Sequence, residues 1–200
     1  MLHELFPSHP NAGTIPWLIS QGAKKHHDKV FINLNQRSYT YAEIDSLSDE
    51  LLAFFRPNGY HTKYRLWLKP CKSVEYAVVF LAGLKSGMEI ISEKLINKAC
   101  DQISESSKQL MIFENEQFFN GSKSITYTKA KQLGRQELFY NIPQLNEESA
   151  VFFIDCPQNK QYPEIISQKQ AYAISSNSLG EGQQHSFINF LYKWINGNSI

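Results

Sequence analysis

Apolar positions along this chain switch between helical and strand-like spacing, and the switches predict its elements. Ile15 to His26 reads as a helix, with Pro16 tolerated in the first turn. Trp17, Leu18 and Gln21 lead onto a basic end, Lys24 and Lys25. Val30 to Leu34 reads as a strand, Asn35-Gln36 as a turn and Arg37 to Tyr39 as the returning strand of a hairpin. The next helix carries its own start signal. Thr40 and Glu43 have capping-box spacing, and Tyr39 and Ile44 stand where a hydrophobic staple places its two side chains. Ile44, Leu47, Ser48, Leu51, Leu52 and Phe55 then form one stripe, ended by Pro57 and Gly59.

Tyr64 to Leu68 is a strand closed by Pro70. Ser73 caps a second helix, and Glu75 lies in its first turn, where the helix dipole favours a carboxylate. Val74, Ala77, Val78, Leu81 and Ala82 make one apolar side and Val79, Phe80 and Leu84 the other, so this helix is buried nearly all round. Gly87 supplies a left-handed stop. A short strand at 89–91, a helix over 96–104 and a strand over 109–113 follow. Strands alternating with helices imply right-handed crossovers and a largely parallel sheet. Between 114 and 148 the pattern is less defined: a strand over 124–127 and a polar helix over 129–138. Ala150 to Asp155 is apolar enough for a central buried strand. The fold class is a three-layer, Rossmann-like α/β domain with its sheet flanked by helices. Residues 1–14 form an irregular arm, 15–182 the α/β unit and 183–200 a separate C-terminal helix.

Composition narrows the function classes. Twenty basic and 19 acidic side chains give a net charge of +1, which leaves no electrostatic footprint for nucleic acid. No apolar run reaches the ~20 residues of a membrane span. The start, MLHELFPSHP, lacks the pattern of a secretion signal. Cys71, Cys100 and Cys156 are an odd set with no CxxC, as expected in a reducing cytoplasm.

Two blocks now carry a resemblance. YTYAEIDSLSDELLAF (39–54) is similar to the TY-x-E-L-D-x-x-S-x-x-L-A block of the adenylate-forming enzymes, which include acyl-CoA synthetases, luciferases and peptide-synthetase adenylation domains. YRLWLKPCKSVEYAVVFLAGLKSG (64–87) resembles that family's D-R-V strand and the helix ending lysine-x-glycine. The resemblance implies the fold of the family's first N-terminal subdomain. These blocks cap and bury helices and touch no substrate chemistry.

The family's chemistry begins in a loop of the form T-S-G-[ST]-T-G-K-P-K-G after a buried strand, where glycines admit backbone amides to phosphates and hydroxyls and a lysine add bonds. Here the corresponding stretch is DCPQNKQYPEIIS, Asp155 to Ser167. It has no glycine, and no Ser or Thr before Ser167; Lys160 and Tyr162-Pro163 are the echoes of the pattern. Gln158, Asn159 and Lys160 hold the position of the phosphate loop. The family's later motifs, for adenine, magnesium and ribose binding and the catalytic lysine, have no counterpart in these 200 residues. The resemblance therefore implies a chain without catalytic residues, expected to bind no cofactor.

Other constellations read as structural. Adjacent His26 and His27 diverge on a helix, so a solvated helix end is expected there rather than a metal site. His3, His9, His61 and His185 have no zinc spacing with the cysteines. Cys71 precedes a helix start, a position that favours thiolate, but has no sequence-near histidine, so a structural role is expected. Lys123, Lys129, Lys131 and Arg135 near Tyr127 and Tyr140 read as a solvated helix face. Phe187, Ile188, Phe190, Leu191, Trp194 and Ile195 form a dense apolar stripe. It either packs on its own domain or, through Phe187, Phe190, Leu191 and Trp194, meets a second copy or a partner protein.

The functional expectation is an acyl-CoA synthetase-like protein without adenylation activity, acting as a binding or interaction module in the cytoplasm. The alternative is the N-terminal part of an AMP-forming acid-thiol ligase completed by another polypeptide or domain, which would use ATP and magnesium.

Overall fold

A computed structural model describes residues 14–34, 37–62, 64–68, 73–91, 109–114, 117–120, 123–134, 145, 149–154, 164–167, 169–171 and 186–200. Helix α1 (Ile15–Lys25) leads into a hairpin of β1 (Val30–Leu34) and β2 (Arg37–Thr40). Helix α2 (Tyr41–Phe55) starts on the expected capping box: the Glu43 amide donates to Thr40 Oγ1 at 3.2 Å and the Thr40 amide to Glu43 Oε2 at 2.8 Å. That second bond is the largest cause holding the Glu43 carboxyl below its ordinary range. Strand β3 (Tyr64–Leu68) is followed by α3 (Val74–Ser86), in which Ser73 caps the Tyr76 amide and which stops at Gly87, φ +82°. Val74 and every residue from Tyr76 to Ser86 are buried, as the two-sided apolar pattern requires.

The remaining elements are β4 (Glu89–Ile91), β5 (Gln109–Glu114), β6 (Gln117–Asn120), β7 (Lys123–Thr126), α4 (Tyr127–Gly134), β8 (Ala150–Ile154), β9 (Glu164–Ser167) and α5 (Ser186–Asn196). The seven-stranded sheet has the order β7-β6-β5-β3-β4-β8-β9. Strands β5, β3, β4 and β8 are mutually parallel, as expected. The outer strands differ from the sequence reading, because β6, β7 and β9 join antiparallel. Strand β8 is consequently second from an edge rather than central, since residues 164–167 fold back beside it. The helix expected over 96–104 and the arm over 1–13 lie outside the described residues.

Parallel register sorts the side chains. Leu66, Ile90, Met111 and Phe152 share the face on which α3 packs, and Phe80 lies parallel to Phe152 at 6.3 Å. Arg65, Trp67, Glu89 and Ile91 share the other face and are buried too, as in a sheet covered on both sides. Helices α1, α2 and α3 pack on one another, and α4 lies on α2. That last seam is close: a Cβ at Gly134 would fall inside contact distance of the Glu50 carbonyl oxygen on α2. Gly134→Ala is therefore expected to push α4 outward at a cost of about 1–3 kcal/mol, the usual range for overpacking. An unchanged midpoint in urea would show that the seam tolerates the extra carbon.

Candidate functional site

In open parallel sheets ligands gather beyond the carboxyl ends of the strands. Here those ends are level: Leu68 pairs with Phe113, Trp67 with Ile91, and Ile91 with Phe153. Strand β8 ends at Ile154 and β9 begins at Glu164, so the segment 155–163 starts from this edge. The candidate residues Gln158, Asn159 and Lys160 belong to that segment and lie outside the described residues, as do Asp155 and all three cysteines. The N-terminus of α3 also follows a strand ending at this edge. There Ser73 Oγ accepts from the Tyr76 amide at 3.1 Å, and Glu75 adds a carboxylate in the first turn.

Away from that edge, a polar cluster not anticipated from the sequence joins α2 to α3. Lys85 Nζ donates to Asp45 Oδ1 at 2.6 Å, to Ser48 Oγ at 2.7 Å and to Asp49 Oδ1 at 2.7 Å. Burial pushes the Asp45 carboxyl up, and the Lys85 charge pulls it back. The two sequence blocks thus meet physically: the lysine of the lysine-x-glycine ending is held by the aspartate and serine of the earlier block. The signal was present as residue types, but the pairing spans 40 positions for Asp45, beyond any local pattern. A second buried pair, Arg65 Nε to Glu89 Oε2 at 2.9 Å, ties β3 to β4 across the parallel register. Both arrangements are self-contained and present no nucleophile–base geometry. Among the described residues no group of three or more His, Cys, Asp or Glu side chains could hold a metal ion.

The C-terminal helix decides between two alternatives and corrects one expectation. Phe190, Leu191 and Trp194 are buried in the chain's own core, so they are not available to a second copy or a partner. Nothing is described of the Phe187 side chain. Trp194 stands edge-on to Phe31 at 4.7 Å, and its indole N–H donates to the Ile19 carbonyl at 2.9 Å. Tyr41 completes this clasp, its hydroxyl proton shared between the Lys193 and Asn198 carbonyls at 2.9 and 3.0 Å. Burial raises that phenol above its ordinary pKa. His26 is the correction. It is not a solvated helix end but is buried beside Tyr41, with Nε2 at 3.0 Å from the Ile195 carbonyl, because α5 ends against it. His27 is exposed, as expected, beside Asp28.

The expected basic face is only partly described. Lys129 is exposed, and Lys131 lies 3.9 Å from Glu50 and over the Tyr127 ring. No helix among the described residues is long and apolar enough to cross a membrane. Val30 is the exposed large hydrophobic among the residues whose side chains are described.

Searches of the sequence against protein-family profiles and against curated proteins find no match. Solved structures do match. The N-terminal subdomain of Klebsiella oxytoca NpsA in complex with 3-hydroxyanthranilyl-AMSN superposes with a TM-score of 0.70 at 15% identity, over 93% of this chain and 52% of that one. An artificially fused adenylation-PCP di-domain, NpsA-ThdA, gives 0.69 at 16% identity, over 93% of this chain and 38% of that one. A double mutant of o-succinylbenzoate CoA synthetase (MenE) from Bacillus subtilis, bound with its product analogue OSB-NCoA, gives 0.60 at 12% identity, over 91% and 42%. The likeness shows the fold, that of an adenylation N-terminal subdomain. The chain spans about half or less of the structures it matches.

Proposed function

We propose that this chain is an adenylation-type subdomain that does not form acyl-adenylates and works as a binding or interaction module. The composition of the segment between β8 and β9 carries this reading. A phosphate cradle needs several backbone amides converging on one anion, commonly at glycines that allow close approach. Residues 155–163 hold no glycine, and Pro157 and Pro163 each remove an amide donor. Asp155 opposes a triphosphate by roughly 1 kcal/mol per charge at ~4 Å even in water-like surroundings. Lys160 offers one compensating charge. The loss of several charge-assisted bonds, at ~1.5–3 kcal/mol each, moves a micromolar site beyond millimolar.

The rival reading is the N-terminal part of an AMP-forming acid-thiol ligase. It draws support from the partial coverage of the matched structures. Titration calorimetry with MgATP separates the two. The expected result is no saturable heat up to millimolar nucleotide. Micromolar saturation, abolished by Lys160→Ala, would overturn the non-adenylating reading and favour the ligase. The interaction surface of such a module is not formed by Phe190, Leu191 and Trp194, which its own core occupies. The odd cysteine set supports a reducing compartment such as the cytoplasm.

A further inference from the structure

Three Asn–Gly steps occur in the chain, at 58–59, 120–121 and 196–197. Gly121 lies outside the described residues. The other two steps end helices in the same way. Asn58 Nδ2 donates to the Phe54 carbonyl at 2.8 Å after α2, and Asn196 Nδ2 donates to the Tyr192 carbonyl at 2.9 Å in α5. The following glycines are left-handed, φ +77° and +76°, and both asparagines are exposed. Their surroundings differ. A Cβ built on Gly59 meets nothing within 4 Å, whereas one on Gly197 meets the His26 ring at 2.6 Å. The next residue, Asn198, is also pinned, by its N–H to the Lys193 carbonyl at 3.0 Å and by its carbonyl to the Tyr41 hydroxyl at 3.0 Å.

We propose that Asn58 is a site of spontaneous deamidation and that its conversion uncaps α2. In the step, the Gly59 amide nitrogen attacks Asn58 Cγ. The new N–Cγ bond forms as Cγ–Nδ2 breaks, and Nδ2 leaves as ammonia carrying the proton lost by the Gly59 amide. Water then opens the cyclic imide at either carbonyl, giving aspartate or isoaspartate. Ring closure needs the chain at the asparagine to rotate out of its turn. At Asn58 the backbone bonds released are local, Gly59 N–H to Arg56 and Tyr60 N–H to Phe55. At Asn196 the rotation must displace the contacts with His26 and Tyr41, so opening there is rarer. The product carboxylate at position 58 cannot donate to the Phe54 carbonyl, and it adds negative charge at the carbonyl end of α2.

Site-resolved mass spectrometry of the full chain, held for days at mildly alkaline pH, tests this. A gain of about 1 Da is expected at Asn58. It should accumulate about tenfold faster there than at Asn196. Asn58→Asp is expected to melt below the native chain. No conversion at Asn58, an equal or faster conversion at Asn196, or native melting of Asn58→Asp would each overturn the proposal.

Discussion

Replacing Trp194 with alanine is expected to lower the unfolding free energy by about 3–5 kcal/mol, the range for removing a large aromatic from a packed interior. The indole is fully buried and stands between Phe31 and Tyr41, each 4.7 Å away between ring centroids. It fills the space left open by Gly22: a Cβ there would stand 2.8 Å from the indole Cδ1. Surroundings of a truncated core side chain relax only in part, so a cavity is expected to remain. In a domain of this size the loss corresponds to a melting shift of roughly 6–20 °C. Trp194→Phe keeps most of the volume and loses the bond to the Ile19 carbonyl, so a cost of about 1–2 kcal/mol is expected. Thermal unfolding of both variants is the measurement. A Trp194→Ala chain that melts like the native one would mean that α5 is not part of the folded core.

Lys85→Met should be the other large effect, about 3 kcal/mol. Removing one partner of a fully buried ion pair costs about 3–5 kcal/mol, because the other charge is left without compensation. Here the lysine side chain is 6% exposed, but Asp45 is 24% and Asp49 52% exposed, so water recovers part of the loss. Asp49→Asn, by contrast, touches the exposed arm of the cluster and should cost about 0–1 kcal/mol. The pH dependence of the Lys85→Met deficit has a definite sign. Burial already raises the Asp45 carboxyl above 3.8, and losing the lysine charge raises it further. A folded-state pKa raised above the unfolded value destabilises at higher pH and not below the unfolded pKa. The variant's deficit should therefore shrink as the pH falls through the folded pKa of Asp45 towards 3.8. Urea unfolding of native and variant chains across that window would show it. A deficit that grows towards acid would contradict the assignment of Asp45 as the stranded charge.

The elements themselves were legible in the sequence because their causes are local. The Thr40–Glu43 box spans one turn, Ser73 satisfies an amide three residues on, and Gly87 takes the left-handed angle that ends α3. Two-sided apolar spacing likewise announced that α3 would be buried on every side. Strands β6 and β9 were missed because QFFN and EIIS each set two apolar residues side by side and so show no alternation, and Glu164–Ser167 falls within the stretch read as the loop after β8. The candidate loop was legible only as chemistry. Its missing glycines can be read from residues 155–163, whereas the sheet edge from which it starts needed the order of β3, β4 and β8.

What the sequence by itself determined, then, is most of the helices and strands, with their caps and their apolar faces, since those depend on neighbours within a turn or a pleat. Only the tertiary structure decided which face meets which. The α5 stripe suited its own domain or a partner, until a contact between Trp194 and Ile19, 175 positions apart, placed it on α1. His26 looked like a solvated helix end until α5 covered it. Lys85 stood in the sequence only as the lysine of the lysine-x-glycine ending, and α2 supplied its three acceptors. The physical reason is common to all three. Local periodicity shows that a surface must be buried or a charge compensated, but the partner is chosen by packing between segments far apart in the chain.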